Sequence, residues 1–450
     1  MSDLLQLRIG APAHGGHCVA RDPDGRVVFV RHALPGELVG VRITDDAGSF
    51  RRADAVEVLE ASPDRVTPPC PHAGPGRCGG CDWQHASGSA QRAMKAAVIR
   101  EQLARLAGLD IPVTVEELPG GLLGWRTRIQ YAIGRDGTVG LRRHRSHEVE
   151  PIDACPLGVR AVSEPPPARP SLTGIEVAQG DDGEPALLGH SPGAGRQARG
   201  RRPPDRVELL AGPPRLRHIV AGRTLEVDAA GFWQVHPHAA STFAAALLDL
   251  LRPQPGERVL DLYAGAGLFT ALLASAVGAE GKVLGIEASR QAVADAEANL
   301  ADLPQARVVR ARVTPDVIGD ADLVVLDPPR SGAGREVMTA VLARAPRAVG
   351  YVACDPAALA RDLRVAVDSG WRLAELRAFD AFPMTHHVEC LALIMPDQPG
   401  GSAGPSRRSR RVATDAGGSA TSFALLTNTH QPGARMRTDA TGSRGTTDPT

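Results

Sequence analysis

The stretch ERVLDLYAGAGLFTALL, residues 257–273, decides the fold of the larger part of this chain. It joins a short apolar strand to a turn containing Gly265 and Gly267, and then to an apolar helix. The glycines allow a ligand to approach the backbone closely, and Glu287, which closes the next strand, can accept hydrogen bonds from both hydroxyls of a ribose. Leu268 stands where a third glycine of a dinucleotide motif would begin, so the pattern favours a smaller adenosine ligand over NAD. A Gly-x-Gly turn alone is also consistent with a plain strand-to-helix connection.

Downstream of this stretch, short apolar runs alternate with helical patterns. The alternation predicts strands at residues 258–262, 282–286, 307–309, 323–326 and 348–352, with helices from 268 and at 290–300, 335–344 and 357–368. This order predicts a doubly wound, Rossmann-like α/β domain, in which a parallel sheet carries helices on both faces. The last apolar segments, 372–379 and 388–395, have no helix between them, so we expect them to form an antiparallel hairpin on the sheet.

The amino-terminal half has a different pattern. Residues 4–60 alternate short apolar runs with turns, which is typical of a small all-β barrel, and a helix is predicted at about 90–106. Residues 111–160 return to strand-like patterning with an excess of Arg, and 165–214 are rich in Pro, Gly and Arg. We therefore expect four regions: a barrel at 1–62, a β-rich central domain at 63–230, the α/β domain at 231–397 and a disordered tail at 398–450.

The composition limits the kind of protein this chain can be. Its 51 Lys and Arg offset 51 Asp and Glu, which gives no support to a globally basic nucleic-acid binder and leaves only a local basic patch. Only Lys95 and Lys282 are lysines, and the other basic charges are Arg, which suits phosphate and stacking contacts. No apolar run approaches the ~18 residues of a membrane-spanning helix, so we expect a cytoplasmic protein without a membrane partner.

Three further positions carry reactive side chains at strand ends. Asp327 begins the sequence Asp-Pro-Pro-Arg-Ser-Gly at the carboxyl end of a strand, where ligands bind in open α/β sheets. Cys354 ends the next strand just before a helix, whose amino terminus would lower the pKa of the thiol. Glu389 opens the last strand and would face this thiol if the strand lies beside the crevice. The simpler interpretations are a plain turn, a buried structural Cys and a solvated strand end.

A thiol and a carboxylate in one crevice are what methylation of a pyrimidine at carbon 5 requires. That carbon is not nucleophilic until a group adds at carbon 6, and Cys354 would add there covalently. The resulting enolate would take the methyl group, and Glu389 would remove the proton left on carbon 5. The target base would have to be flipped out or single-stranded, because neither ring edge is accessible in a stacked helix.

Four stretches of the chain resemble the class I RNA 5-methyluridine methyltransferases: Phe232-Trp-Gln-Val-His-Pro, residues 261–267, Asp327-Pro-Pro-Arg-Ser-Gly, and Cys354-Asp-Pro followed by His387-Val-Glu. This resemblance implies that Cys354 is the nucleophile and Glu389 the proton acceptor. It also implies that the methyl donor is S-adenosylmethionine, in contact with Gln234, Tyr263, Glu287 and Asp327. Two departures are His236 and Leu268, which stand where many members of the family have Asn.

Four of the seven cysteines have a spacing typical of a metal site: Cys70, Cys78, Cys81 and the distant Cys155. Four thiolates bind either a [4Fe-4S] cluster or Zn, and the spacing leaves both open, with a disulfide pair as a third reading. The resemblance to the methyltransferase family implies the [4Fe-4S] cluster. Cys18 and Cys390 match no motif, and we expect them to be ordinary buried thiols.

The barrel region also resembles a known domain. Through Gly15-Gly-His-Cys-Val-Ala-Arg and Val28-Phe-Val-Arg-His-Ala-Leu-Pro-Gly it is similar to the TRAM domain, an oligonucleotide-binding (OB) type of barrel that binds RNA. Family members that combine this barrel with the cysteine cluster commonly act on 23S rRNA. We therefore expect a monomeric enzyme whose partner is RNA and which makes 5-methyluridine in 23S rRNA. The alternatives are a tRNA substrate, amino-group methylation of a purine in RNA, and an RNA-binding module that has lost its donor site.

Overall fold

The amino-terminal barrel is a six-stranded sheet in a computed structural model that describes residues 4–169, 171–193 and 205–397. Its strands are β1 (Leu5–Arg8), β2 (Pro12–Ala13), β3 (His17–Arg21), β4 (Val27–Arg31), β5 (Leu38–Asp46) and β6 (Phe50–Glu60). They lie in the order β1-β5-β6-β4-β3-β2, and only the pairing of β4 with β6 is parallel. Alternate side chains such as Val28, Val30 and Val39 point inward and fill the barrel.

Helix α1 (Gly88–Gln102) connects the barrel to the remainder of the chain. The hydroxyl of Ser87 caps it by accepting a hydrogen bond from the N–H of Ala90 at 3.2 Å. The helix continues as a wider π-helical turn over Leu103–Ala107, and Gly108 then ends it in the left-handed region. The predicted helix at about 90–106 is confirmed, although its irregular last turn was not expected.

The central sheet follows helix α1 in the chain. Its strands are β8 (Arg128–Ile133), β9 (Val139–Arg142), β10 (Val149–Pro151), β11 (Gly174–Gln179), β12 (Pro185–Ser191) and β13 (Arg206–Ala211), in the order β10-β9-β8-β11-β12-β13. A separate hairpin consists of β14 (Arg215–Val220) and β15 (Arg223–Asp228). The Pro- and Gly-rich region at 165–214 therefore contributes three strands of this sheet.

The carboxy-terminal part is a doubly wound α/β fold, as predicted. Its elements are α2 (Ala239–Leu251), β16 (Arg258–Leu262), α3 (Leu268–Val277), β17 (Lys282–Glu287), α4 (Arg290–Asn299), β18 (Ala306–Arg310), a 3-10 turn at Pro315–Val317, β19 (Leu323–Leu326), α5 (Arg335–Ala343), β20 (Ala348–Ala353), α6 (Pro356–Asp368), β21 (Trp371–Asp380) and β22 (Glu389–Pro396). Strands β16 to β20 are parallel, and β22 inserts antiparallel between β20 and β21.

Two elements of this part were not predicted. Helix α2 is Ala- and Leu-rich and covers one face of the sheet through Phe243 and Leu247. Strand β7 (Val115–Glu117) lies far upstream in the chain, yet it pairs in parallel with β21 and completes the eight-stranded order β18-β17-β16-β19-β20-β22-β21-β7. Apolar side chains of α1, among them Ile99, pack beneath the same sheet. The segment between the barrel and the central sheet therefore supports the α/β fold.

The parallel strands give the sheet two distinct edges. Their carboxyl ends carry Tyr263, Glu287, Asp327 and Cys354 at one edge. Lys282 lies exposed at the start of β17, at the opposite edge. Within the described ranges, no helix is long and apolar enough to cross a membrane.

Some of the sequence predictions concern residues away from this edge. Cys18 and Cys390 are 1% and 0% exposed, which confirms them as buried thiols. The predicted disordered tail at 398–450 lies outside the described residues.

Candidate active site

The turn after β16 builds the first part of the site. Tyr263 has a φ of 68°, Gly265 of 56° and Gly267 of 87°, so the chain turns sharply through left-handed conformations before helix α3 begins. The N–H of Gly265 donates to one carboxylate oxygen of Glu287 at 3.0 Å, and the N–H of Ser289 donates to the other at 2.7 Å. Glu287 is therefore held at the strand ends beside the glycine turn, where the sequence places a ribose.

Two buried carboxyl groups lie next to this turn. Asp261 accepts a hydrogen bond from the hydroxyl of Thr270 at 2.5 Å, while its other oxygen has no partner among the described residues. Burial raises the pKa of Asp261 to about 7, and burial together with the charge of Asp261 raises that of Asp327 to about 7. A buried oxygen without a donor fits a site that receives a polar ligand. The residues present at this edge therefore fit an adenosine-containing methyl donor.

The loop between β15 and α2 carries Gln234, which is half-buried there. Its neighbours anchor the loop: the ring of Trp233 stacks on His218 with centroids 4.4 Å apart, and the carbonyl of Val235 accepts from the N–H of Thr127 at 2.8 Å. These contacts tie Gln234 to the central sheet and to the hairpin β14–β15.

The two positions that depart from the family pattern are both buried. His236 stacks on Trp125 and accepts from the N–H of His238 at 3.2 Å, and Leu268 is buried among the apolar side chains of α2 and α3. Both side chains thus have packing roles within the fold.

Strand register brings the predicted nucleophile and base together. Strands β20 and β22 pair antiparallel, and the last ladder pair joins Ala353 to Cys390. One step further along the same register, Cys354 lies opposite Glu389, where side chains of neighbouring strands are about 5 Å apart. Glu389 is 5% exposed. The thiol and the carboxyl group therefore lie close enough at the carboxyl edge of the sheet for the charge of Glu389 to act on Cys354.

The electrostatics of this pair differ from the prediction in one respect. The sequence predicted that the amino terminus of helix α6 lowers the pKa of Cys354, but burial and then the charge of Glu389 raise it to about 12. The prediction was wrong because Asp355, not Cys354, caps α6, and because burial of the thiol and the neighbouring acids raise its pKa more than Arg330 lowers it. Burial, and then Asp327, raise the pKa of Glu389 well above its usual range. Both shifts favour the protonated forms of these groups in the ligand-free protein.

An open cavity lies in front of Cys354. Basic and imidazole side chains line it: His14 from the barrel, Lys95 from α1, Arg330 from the Asp327 loop, and His386 and His387 from the segment before β22. The sequence did not predict His14, Lys95 and His386 as site residues. His14 and Lys95 are far from the Cys354 motif in the chain, whereas His386 directly precedes the His387-Val-Glu stretch.

The Asp327 loop is held by a carboxylate on the helix that follows Cys354. Asp362 of α6 accepts hydrogen bonds from the N–H of Ala333 at 2.8 Å, the N–H of Gly334 at 3.1 Å and the hydroxyl of Tyr351 at 2.5 Å. Asp362 and Tyr351 are both buried. One side chain thus fixes the loop after Asp327 relative to the helix after Cys354.

The four predicted metal ligands line a second cavity. Cys70, Cys78, Cys81 and Cys155 are all free thiols around it. The amide of Gln84 donates to the sulfur of Cys81 at 3.1 Å, and the N–H of Gly80 donates to that of Cys78 at 3.4 Å. Such donors stabilise thiolate ligands, so the residue set fits a thiolate-ligated group. Among the described residues, however, no three Cys, His, Asp or Glu side chains are arranged to hold a single metal ion.

Comparison with known families matches three parts of the chain. Residues 5–56 match the TRAM domain, 234–317 match protein-L-isoaspartate(D-aspartate) O-methyltransferase, and 318–396 match tRNA (uracil-5-)-methyltransferase. The last of these matches includes both Cys354 and Glu389.

Relatives of known sequence match the full length of the fold. The chain is 46% identical over 432 residues to an uncharacterized RNA methyltransferase of Streptomyces avermitilis, which spans 89% of this chain and 100% of the relative. The 23S rRNA (uracil(1939)-C(5))-methyltransferase RlmD of Chromohalobacter salexigens is 35% identical over 438 residues, spanning 88% of this chain and 90% of the relative. This chain belongs to the RNA (uracil-5-)-methyltransferase family.

A solved structure supports the fold of this methyltransferase. The tRNA (uracil-54, C5)-methyltransferase of Pyrococcus abyssi, in complex with S-adenosyl-L-homocysteine, superimposes with a TM-score of 0.66 at 21% identity and covers 86% of this chain and 100% of that one. The TRAM match and the RNA methyltransferase relatives support RNA as the substrate, and the fold supports S-adenosylmethionine as the donor.

Proposed function

We propose that this methyltransferase transfers a methyl group from S-adenosylmethionine to carbon 5 of a uridine in RNA, through a covalent bond between Cys354 and carbon 6 of the base. The observation that carries the proposal is the register of β20 and β22, which pairs Ala353 with Cys390 and so brings their neighbours Cys354 and Glu389 close together at the carboxyl edge. The thiol lines an open cavity, and the buried carboxyl group directly follows Val388 in the wall of that cavity. These are the two groups that this chemistry needs.

In the proposed reaction, Cys354 is the nucleophile and Glu389 is the base. Cys354 first releases its thiol proton to solvent. The thiolate sulfur then bonds to carbon 6, and the electrons of the carbon 5–carbon 6 double bond move into an enolate. When bound, S-adenosylmethionine supplies the methyl group and a positive sulfonium charge, which favours the ionised forms of both acids. Carbon 5 takes the methyl group, and Glu389 then accepts the proton from carbon 5. The double bond re-forms, and the thiolate of Cys354 leaves.

In this proposal, Gln234, Tyr263, Glu287 and Asp327 hold the donor. Glu287 is already fixed by the N–H groups of Gly265 and Ser289, so its two oxygens are oriented before a ribose arrives. The free oxygen of Asp261 adds a further acceptor that the sequence did not predict.

We propose 23S rRNA as the substrate class. The support is the 35% identity to a relative described as a 23S rRNA uracil-C5 methyltransferase, together with the TRAM match. Transfer RNA is the second candidate, because the family that matches residues 318–396 is described as acting on tRNA. Mass spectrometry of 5-methyluridine in ribosomal and transfer RNA from a deletion strain distinguishes the two. We expect the loss in 23S rRNA, and unchanged 5-methyluridine in both pools would overturn the proposal.

We further propose that Cys70, Cys78, Cys81 and Cys155 hold a [4Fe-4S] cluster. Their convergence on one cavity and the hydrogen bonds donated to the sulfurs of Cys78 and Cys81 support the proposal. We also propose that the protein is a cytoplasmic monomer. Its proposed regions are a TRAM barrel at 1–62, a central domain at 63–230, a catalytic domain at 231–397 and a tail at 398–450.

Trapping the covalent intermediate tests the proposed function. RNA that contains 5-fluorouridine at the target position has no proton to give up at carbon 5, so the reaction stops as a stable protein–RNA adduct. We expect the wild-type protein with donor to form this adduct and Cys354→Ser to form none. Cys390→Ser removes the neighbouring buried thiol and serves as the matched control, which should still form the adduct. A wild-type protein that methylates RNA without adduct would favour amino-group methylation.

A further inference from the structure

The barrel reaches into the catalytic cavity through one turn. Residues 13–16 connect β2 to β3, and the ring nitrogen Nε2 of His14 lies 3.0 Å from Oδ2 of Asp355. His14 and Asp355 are 341 positions apart in the chain. His14 lines the cavity in front of Cys354 and has no place in the apolar interior of the barrel. Its side chain therefore serves a contact outside its own domain.

Asp355 receives this contact directly beside the nucleophile. Its second oxygen, Oδ1, accepts a hydrogen bond from the N–H of Ala358 at 2.8 Å and caps helix α6. One carboxylate thus joins the first turn of α6 to the barrel, and its backbone is bonded to that of Cys354. A displacement of the barrel turn would act on the residue next to the reactive sulfur.

A second contact holds the turn from the side of the cysteine cavity. The indole N–H of Trp83 donates to the carbonyl of Gly16 at 3.2 Å. A Cβ on Gly16 would lie 2.9 Å from Asp82, so the two segments meet in close contact. Asp82 in turn accepts from His386, whose Nδ1 lies 2.6 Å away, on the segment that leads to Glu389. The turn thus contacts Asp355, which follows Cys354 in the chain. It also lies against Asp82, which contacts the segment before Glu389.

We propose that His14 is a positioning residue of the catalytic cavity. Its hydrogen bond to Asp355 fixes the position of the RNA-binding barrel relative to Cys354. The inference rests on the proposed function, since it takes Cys354 as the nucleophile. RNA that is bound by the barrel then reaches the thiol in a fixed geometry, because the barrel turn forms one wall of the cavity. The contact should therefore change the rate of the chemical step at saturating RNA. RNA affinity should depend instead on the remainder of the barrel surface.

The test compares four variants of the full-length protein and one control variant. His14→Ala removes the contact, and His14→Gln keeps a side-chain N–H that can reach Asp355. Asp355→Ser keeps the helix cap but is too short to reach His14. The double variant combines His14→Ala with Asp355→Ser, and Asp24→Ala, in the exposed turn between β3 and β4, is the matched barrel control.

We expect His14→Ala and Asp355→Ser each to slow single-turnover adduct formation with 5-fluorouridine RNA by about three- to tenfold, the usual effect of one lost hydrogen bond. The double variant should be no slower than the slower of the two single variants, and His14→Gln should restore the wild-type rate. RNA affinity, measured by fluorescence anisotropy, should change by less than about twofold. An unchanged rate, additive losses, or a loss confined to RNA affinity would overturn the proposal.

Methyl transfer into unmodified RNA is measured on the same variants. If the wild-type protein methylates RNA without adduct, the covalent mechanism fails, yet the ratio of methylation rates between His14→Ala and wild type still decides the role of the turn. A rate that falls with His14→Ala and recovers with His14→Gln supports positioning, and a rate that does not respond to either variant rejects it.

Discussion

Lys95 donates a hydrogen bond from Nζ to Oδ1 of Asp380 over 2.5 Å, and both side chains are buried completely. The same ammonium donates to the carbonyl of Phe382 at 3.0 Å, while Oδ2 of Asp380 has no partner among the described residues. The pair joins α1, upstream of the central sheet, to the end of β21 in the catalytic fold. Breaking it would leave one charge without its partner in an apolar interior.

We expect Lys95→Met to lower the free energy of unfolding by about 3–5 kcal/mol, because Asp380 would remain buried and unpaired. Adding Asp380→Leu should recover part of this loss, since the unpaired charge is then removed. Urea denaturation followed by circular dichroism measures both. Lys282→Met, at an exposed lysine, is the control and should change stability by less than about 0.5 kcal/mol. A double variant as unstable as the single one would contradict this account of the pair.

Glu389→Gln should separate the two halves of the proposed reaction. The amide cannot accept the proton from carbon 5, so the enzyme should add to uridine RNA, transfer the methyl group and then accumulate the covalent complex. Denaturing gel electrophoresis of a mixture with labelled RNA measures this product. Turnover should fall by about 10²–10⁴-fold, the usual contribution of a general base. Rapid release of methylated RNA would show that another group removes the proton.

Asp362→Asn should weaken the link between the Asp327 loop and helix α6. The carboxylate accepts three hydrogen bonds, and an amide would turn its own N–H₂ toward one of the three donors. We expect a loss of about 1–3 kcal/mol in unfolding free energy and a lower turnover number with little change in RNA affinity. Tyr351→Phe removes one donor only and should cost about 1 kcal/mol. Equal losses in both variants would argue against a role of the backbone donors.

The buried carboxyl groups predict how stability depends on pH. Because burial raises the pKa of Asp261 to about 7, the folded protein binds this proton where the unfolded chain has released it. The contribution of Asp261 to the unfolding free energy should therefore fall as pH rises from about 4 to 7, by about 1.4 kcal/mol for each unit of pKa difference. Asp261→Asn should flatten this dependence, whereas Asp24→Asn at the surface should not. Denaturation curves at several pH values measure it, and parallel profiles for Asp261→Asn and wild type would refute it.

Cys81→Ser should remove or weaken the proposed cluster. We expect anaerobically purified wild-type protein to contain about four iron atoms per chain, with visible absorption, and the variant to contain fewer. Cys18→Ser, at a buried thiol of the barrel, should keep the wild-type iron content. Zn without iron in the wild-type protein would decide for the zinc alternative.

Local patterns predicted the elements of the catalytic fold well. The strand ends that carry Asp327 and Cys354 were predicted because buried parallel strands appear in the sequence as continuous apolar runs. The antiparallel strand that begins at Glu389 is equally buried and apolar and was predicted in the same way. The meeting of Cys354 with Glu389 followed from a hairpin whose strands have no helix between them. Helix α2 was missed because its Ala- and Leu-rich sequence has little polar face to show a helical period.

Other features of the site depend on tertiary contacts that no local pattern encodes. His14 contacts a residue 341 positions away, and Lys95 pairs with one 285 positions away. Strand β7 has only three residues, and its pairing with β21 is what makes it a strand. The raised pKa of Cys354 likewise comes from burial and from Glu389, whereas the sequence showed only the helix start after it.

The scarcity of lysine makes it possible to attach a label to this protein at one defined side chain. Lys95 is sealed in the interior, and Lys282, the only other lysine of the chain, is exposed at the sheet edge opposite Cys354. A dye or linker that reacts with lysine side chains would therefore attach at Lys282. Single-molecule tethering or fluorescence reporting from Lys282 would leave the RNA-facing side of the folded enzyme chemically untouched.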